Sequence, residues 1–228
     1  LTKDDPGTPT IAATAGTFTG RTTINQGTVE VAKLANNGAS SSLGAPALAN
    51  STLALGSGAS SATLRYTGTG DTSNRVVDLA GTTGGATLDA SGSGALTLTS
   101  ALTATGAGAK TLTLTGTSAG ANTLSGAIVD SGGGATSLAK TGSGAWTLSG
   151  TNTFTGGVTV GAGTLTVSNT GNLSTASVPL TLGGGTLVLN NAAQTLSSLS
   201  GNGTITFGNS HVLTLDQIGN TTYIGFLD

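Results

Sequence analysis

Nine side chains in this 228-residue chain are carboxylates: Asp4, Asp5, Glu30, Asp71, Asp78, Asp89, Asp130, Asp216 and Asp228. Two carboxylates facing one glycosidic bond at a set separation can hydrolyse it, with one as the acid and the other as base or nucleophile. Asp71, Asp78 and Asp89 form the one local group, with Arg65 and Arg75 close by in the chain. On one face of successive strands they could pair and line a polysaccharide cleft. The plainer reading carries more weight: a turn aspartate in Gly-Thr-Gly-Asp-Thr-Ser, plus surface ion pairs. An extended carbohydrate cleft also needs exposed aromatics, and aromatics make up only 3 % of the chain. No catalytic residue is assigned, and an enzyme is not expected.

Other chemistry is equally sparse. His211 is the single histidine and cannot build a histidine-based metal site, and no Ser-His-Asp constellation is visible. The absence of cysteine removes disulfides and thiolate metal sites. Serial Gly-Gly-x-Gly-x-Asp calcium repeats are missing, and Gly68-Thr69-Gly70-Asp71 is a lone echo of them. Neither a metal nor a cofactor is expected. Trp146, Phe18 and Phe154 could form a ligand platform, but packing at a corner suits Phe18 and Phe154 better, since they hold equivalent repeat positions. The Asn-x-Ser/Thr triplets at Asn50, Asn172, Asn202 and Asn220 follow from the abundance of Ser and Thr and are not read as glycosylation sites.

The remaining candidates are threonines. Thr97/Thr99, Thr111/Thr113/Thr115, Thr153/Thr155 and Thr164/Thr166 each flank an apolar residue. With the apolar residue turned inward, the threonines point outward and can stack into ladders, as on some ice-binding solenoids. Such an array needs coils of one length. The spacings here are irregular, which leaves the β-preference of a branched side chain as the simpler reason for these threonines.

The elements that would position these residues are short strands. Ala145–Leu148, Gly157–Val160 and Thr164–Val167 alternate apolar residues with threonine, the period of a half-buried strand. The gaps hold Gly, Ser, Asn and Thr, suit tight corners, and are too short for a helix. Strand, corner, strand is how a chain winds a β-solenoid. The composition agrees. There are 39 glycines and 45 threonines, charged residues are 7 %, and hydrophobic residues are 36 %. Typical domains carry about 25 % charge. Glycine without a three-residue period excludes collagen, and a positive mean hydropathy of +0.20 argues against disorder. A net charge of -2 leaves no basic face for nucleic acid. No apolar run is long enough for a membrane-spanning helix.

The stretch Leu138–Val167 occurs twice. Leu1 and Lys3 align with Leu138 and Lys140, Gly7 with Gly144, and Thr10-Ile11 with Thr147-Leu148. After a one-residue insertion, Thr17–Gly20 aligns with Thr153–Gly156, and Gly27–Val31 with Gly163–Val167. The pattern GxGxWTLSGTNTFTGGVTVxAGTLTV resembles the autotransporter-associated β-strand repeat of bacterial passenger proteins. Residues 62–100 resemble the spacer that accompanies these repeats. The resemblance implies an all-β, right-handed, single-stranded parallel β-helix outside a bacterial cell, and it transfers no catalytic residues. The first copy departs from the pattern at Pro9, which cannot donate to a ladder and implies an edge strand.

At about 20–25 residues per coil, the chain makes roughly ten rungs about 4.8 Å apart. Further strands are expected throughout, among them Thr52–Leu55, Arg75–Leu79, Ala95–Thr99, two runs in Leu102–Thr115, and Thr222–Leu227. Leu79–Gly81 matches Leu199–Gly201, and Ala95–Thr97 matches Val212–Thr214. These suggest one solenoid with internal copies at about 1–100 and 138–228, joined by insert 101–137. The chain starts mid-motif without a signal peptide, as a processed product or a segment of a longer protein would.

Neither end reads as a polar cap. Leu1, Thr2 and Lys3 at one end and Tyr223, Ile224, Phe226 and Leu227 at the other are the candidate self-association residues. Head-to-tail contact through them would build an unclosed filament, which low charge would not oppose. The leading expectation is therefore an extracellular structural subunit that stacks end to end into a stalk or filament. The alternative is an adhesin passenger segment. Its candidate loops, Ala32–Gly44, Thr67–Asn74 and Ser168–Val178, would meet a surface polysaccharide or a host or neighbouring cell surface.

Overall fold

The computed structural model describes residues 1–168, 170–190, 193–208, 211–217 and 219–228. Leucines drive the local structure. In Lys110–Thr115, Leu112 and Leu114 are fully buried while Thr111, Thr113 and Thr115 lie on the outer side. The same alternation recurs in Thr136–Lys140, Ala145–Leu148, Thr164–Val167 and Thr186–Leu189. One such strand buries too little to stand alone, so each must lie on the next.

The chain winds into a parallel β-solenoid of about ten turns. Every strand-to-strand pairing is parallel, and the strands stack into sheets of ten, eight and four. The ten-stranded sheet runs from Thr10–Ile11 to Val212–Leu215, and the eight-stranded sheet from Asp71–Ser73 to Phe226–Leu227. The core is a column of Leu, Val and Ile with Tyr66, Trp146 and Phe154 among them. Leu48–Asn50 forms a single 3-10 turn, the one helical element among the described residues. Pro9 lies just before the edge strand Thr10–Ile11. Its carbonyl accepts the Glu30 N–H at 3.0 Å, and no neighbour needs the N–H that proline lacks.

Coil length varies, yet register does not. Val29 pairs with Leu64, 35 residues on, whereas Leu138 pairs with Val158, 20 residues on. On the eight-stranded sheet, Thr72, Thr97, Thr123, Thr147, Thr166, Val188 and Thr206 still fall in one straight column. The expectation that irregular spacing breaks up the threonine ladders is therefore corrected, because the extra residues are taken up between the strands. The ten-stranded sheet also stacks Thr28, Thr63, Thr87, Thr113, Thr159 and Thr181 in one column, beside Glu30, Arg65 and Asp89 on adjacent rungs.

The third side begins as the four-stranded sheet, Thr2–Lys3 to Val77–Leu79, and continues through a parallel bridge between Asp78 and Thr103. Beyond it, amide side chains replace strand pairing. Asn152 Oδ1 accepts the Ile128 N–H at 2.8 Å, Asn172 Oδ1 accepts the Asn152 N–H at 2.7 Å, and Gln194 Oε1 accepts the Leu173 N–H at 2.9 Å. An amide can both accept and donate, so it satisfies buried backbone where the rungs no longer align. The first run expected in Leu102–Thr115 is not a strand and is reduced to the single bridge at Thr103. Two expected equivalences also fall on different sides. Leu79 is in the four-stranded sheet and Leu199 in the ten-stranded one, and Leu96–Leu98 and Val212–Leu215 lie in different sheets.

Candidate functional site

The carboxylates expected to cluster are dispersed. Asp71 lies in the eight-stranded sheet, Asp78 in the four-stranded sheet and Asp89 in the ten-stranded sheet. Each has local work. Asp71 Oδ2 accepts the Leu34 N–H at 2.9 Å. Asp78 accepts the Thr103 hydroxyl and both the N–H and hydroxyl of Thr105, at 2.6–3.0 Å. Asp89 pairs with Arg65 Nε at 2.7 Å and accepts the Ser91 hydroxyl. Only Asp89 fits the surface ion pair read from the sequence. The three lie along three directions of the solenoid, so no pair of them faces one glycosidic bond. No group of three His, Asp or Glu side chains that could hold a metal occurs among the described residues.

The chain's buried cations gave no sequence signal beyond their rarity. Arg75 is 1 % exposed, and its guanidinium donates to Leu43 O, Gly44 O and Ser41 Oγ at 2.8, 2.7 and 3.1 Å. It thereby clamps the segment predicted as a surface loop. Within Ala32–Gly44, Leu34, Ser41, Ser42 and Leu43 are buried, and only the tip around Asn36–Ala39 reaches solvent. That expectation is corrected: this long coil packs onto the rod because leucines sit among its polar residues. The more exposed projection follows it at Ala47–Asn50, where Leu48 is 73 % exposed. In Thr67–Asn74, Thr67, Thr69, Gly70 and Thr72 are exposed. In Ser168–Val178, Leu173 and Ser174 are buried and Thr170, Thr175 and Ser177 are exposed, while Asn169 lies outside the described residues.

Lys140 is the repeat's own lysine. It is fully buried, and its ammonium donates to the carbonyls of Thr141, Gly142 and Ala162 at 2.7–3.0 Å. Gly163 leaves room for it at φ +65, where a Cβ would strike Gly144 O, Gly142 O and the lysine Nζ. Gly27, the matching residue of the first copy, has φ +74. There Lys3 bends inward to Asp5. Burial pulls the Lys140 ammonium down to about 8. Its folded pKa thus lies below the unfolded one, and between about pH 8 and 10 the unfolded chain holds more protons. Stability should rise with pH through this window. Lys110, also lowered by burial, contributes with the same sign. Urea midpoints measured at pH 7.5, 8.5 and 9.5 should rise for the native chain and rise clearly less for Lys140→Met.

The self-association residues divide. Leu1, Ile224, Phe226 and Leu227 are 41–75 % exposed, and Thr2 is exposed too. Lys3 is buried, and the Tyr223 hydroxyl turns back to the carbonyls of Gly203 and Phe226 at 2.9 and 2.8 Å. At the first end, Leu1, Ile11 and Phe18 line an apolar hollow of about 430 Å³. Phe18 and Phe154 are repeat equivalents with different fates. Phe154 is fully buried, whereas Phe18 is 40 % exposed beside that hollow. His211 packs tilted against Phe207, with ring centroids 5.2 Å apart.

The chain is a long parallel solenoid with dispersed carboxylates and buried, carbonyl-bound cations. The repeats are of the autotransporter passenger type: residues 1–31 and 138–167 match the passenger-associated-transport-repeat. The chain is similar to the Adhesin BmaC autotransporter of Brucella suis biovar 1 (strain 1330), with 39 % identity over 165 residues. That alignment covers 71 % of this chain and 5 % of the adhesin, so the chain spans a small part of its relative's length. No solved structure matches the chain.

Proposed function

We propose that this chain is a segment of an autotransporter adhesin passenger, a non-enzymatic rod held outside a bacterial cell. The observation that carries the reading is the winding of both passenger repeats into one continuous solenoid, their matching strands on different sides of it, in a chain similar to an adhesin. A rod of stacked rungs spans distance with few residues and presents its projections at set heights. One exposed turn is Ala47–Asn50, in which Leu48 stands open to solvent. Beads coated with the 228-residue chain should bind a panel of animal cell monolayers above albumin-coated beads, and Leu48→Ser should reduce binding. Binding equal to albumin on every surface would make this segment a spacer and place adhesion elsewhere.

The second reading is end-to-end stacking through Leu1, Thr2 and Lys3 at one end and Tyr223, Ile224, Phe226 and Leu227 at the other. The apolar hollow at the first end and the exposed Ile224, Phe226 and Leu227 at the second favour it. Negative-stain images at rising concentration should show fibres one rod wide, and deletion of Tyr223–Asp228 should abolish them. Isolated rods at every concentration would refute end-to-end stacking.

A further inference from the structure

Asp5–Pro6 is the one Asp-Pro pair in the chain, and the repeat's own lysine sits on it. In the second copy, Lys140 donates to the carbonyl of Gly142, two residues on, at 2.9 Å. In the first copy, Lys3 makes the matching bond to the carbonyl of Asp5, which is the carbonyl of the Asp5–Pro6 peptide bond. The first copy thus places a carboxylate and a proline where the second has Gly142 and Ser143. The same ammonium donates to Asp5 Oδ1 at 2.7 Å, and the Gly7 N–H donates to that oxygen at 2.8 Å. Among the described residues, Oδ2 has no hydrogen-bond partner. The Lys3 side chain is 6 % exposed and the Asp5 side chain 73 %, so the cation is fixed from the inside while the bond it touches meets water. The backbone on either side is anchored to the next coil. Asn25 Nδ2 and Gln26 Nε2 donate to Asp4, and the Thr28 N–H donates to Gly7 O at 3.2 Å.

We infer that the folded chain cleaves its own Asp5–Pro6 bond, with the Asp5 carboxylate as nucleophile and the Lys3 ammonium as the group that polarises the carbonyl. Oδ2 attacks the Asp5 carbonyl carbon, and Lys3 holds the oxyanion that forms there. The C–N bond to Pro6 then breaks. Its electron pair stays on the proline nitrogen, which takes a proton from solvent and leaves as a secondary amine. Water opens the cyclic anhydride left on Asp5, restoring two carboxyl groups and returning a proton to solvent. The net change is hydrolysis of one peptide bond, a single event within the chain rather than turnover of a substrate. Three features favour it. Nucleophile and carbonyl belong to one residue, which removes the entropic cost of bringing them together. A fixed cation at a developing oxyanion lowers the barrier. The proline nitrogen carries no hydrogen and is a tertiary amide, which accepts a proton more readily than a secondary one. The bonds from Lys3 and Gly7 also hold the Asp5 carboxyl below its ordinary range, so it stays an ionised nucleophile in mild acid, where protons for the leaving nitrogen are abundant. In the second copy the same ammonium meets a Gly-Ser bond with no carboxylate beside it, so there it only holds carbonyls.

The test incubates the full 228-residue chain at pH 4, 5.5 and 7, then denatures it and measures by mass spectrometry the fraction that begins at Pro6. Denaturation is needed because the contacts of Asp4 and Gly7 to the next coil survive the cut and keep the pieces together. A free peptide of residues 1–12 is the unstructured reference. The folded chain should cleave about tenfold or more faster than this peptide, below the factor of about 10²–10³ that one donor contributes in a water-excluded site. Asp5→Asn should remove the product and Asp4→Asn should keep it. Lys3→Gln should fall to the rate of the peptide, with circular dichroism confirming the fold of each variant. Equal rates for the native chain and the peptide overturn the inference, since the lysine contact would then be an ion pair only. An unchanged rate in a well-folded Lys3→Gln variant overturns it as well. Should Lys3→Gln misfold, the comparison of native chain with peptide decides alone.

Discussion

Trp146→Ala is expected to destabilise the solenoid by about 3–5 kcal/mol, the range for removing a fully buried large aromatic. Trp146 is 1 % exposed and lies in the central rungs, between Asn122 and Leu165. Its indole crosses the interior, and Nε1 donates to Thr115 O at 2.9 Å, tying the eight-stranded sheet to the ten-stranded one. Alanine would leave a cavity and an unpartnered carbonyl together. Domains as a class are stable by about 5–15 kcal/mol, so the loss is a large share of the whole. In a one-dimensional stack each rung touches only its neighbours, so a weak middle rung also uncouples the two ends. Urea unfolding followed by circular dichroism should show a lower midpoint and a shallower or two-step transition. Trp146→Phe keeps most of the volume and loses only the hydrogen bond, so it should fall between. A native-like midpoint for Trp146→Ala would sink the account.

Arg75→Ala is expected to act locally and strongly. The guanidinium makes three hydrogen bonds to the 41–44 segment. A bond from a charged donor is worth about 1.5–3 kcal/mol. Relief of the guanidinium's own burial offsets part of the sum, which leaves a net loss of about 3 kcal/mol. Because the bonds converge on one coil, the loss should appear as opening of residues 32–50 before the rod unfolds. Limited proteolysis should give early cleavage there, and amide exchange at Leu43 and Gly44 should speed up. Arg75→Met restores the apolar stem without the fork, so it should exchange nearly as fast as alanine. Protection unchanged in both variants would mean that Leu34 and Leu43 hold the coil alone.

The sequence by itself determined the winding. Leucines and valines on a two-residue period, with threonine between and glycine at the gaps, allow few solutions other than short strands stacked in parallel. The doubled segment with Lys3 and Lys140 at matching positions identified the repeat, and Pro9 marked the edge. These features are local, so spacing alone reveals them. The tertiary structure decided which side of the rod each rung occupies, because coil length is free to vary while register is held by backbone bonding. That freedom separated Asp71, Asp78 and Asp89 onto three sheets and lined up the threonines whose spacing in the chain looked irregular. It also turned Arg75 and Lys140 inward toward oxygens of a neighbouring coil, while Lys110 folds back on the carbonyls of Gly106 and Gly108. A buried cation satisfied mainly by backbone oxygens has no acidic partner to betray it in the sequence.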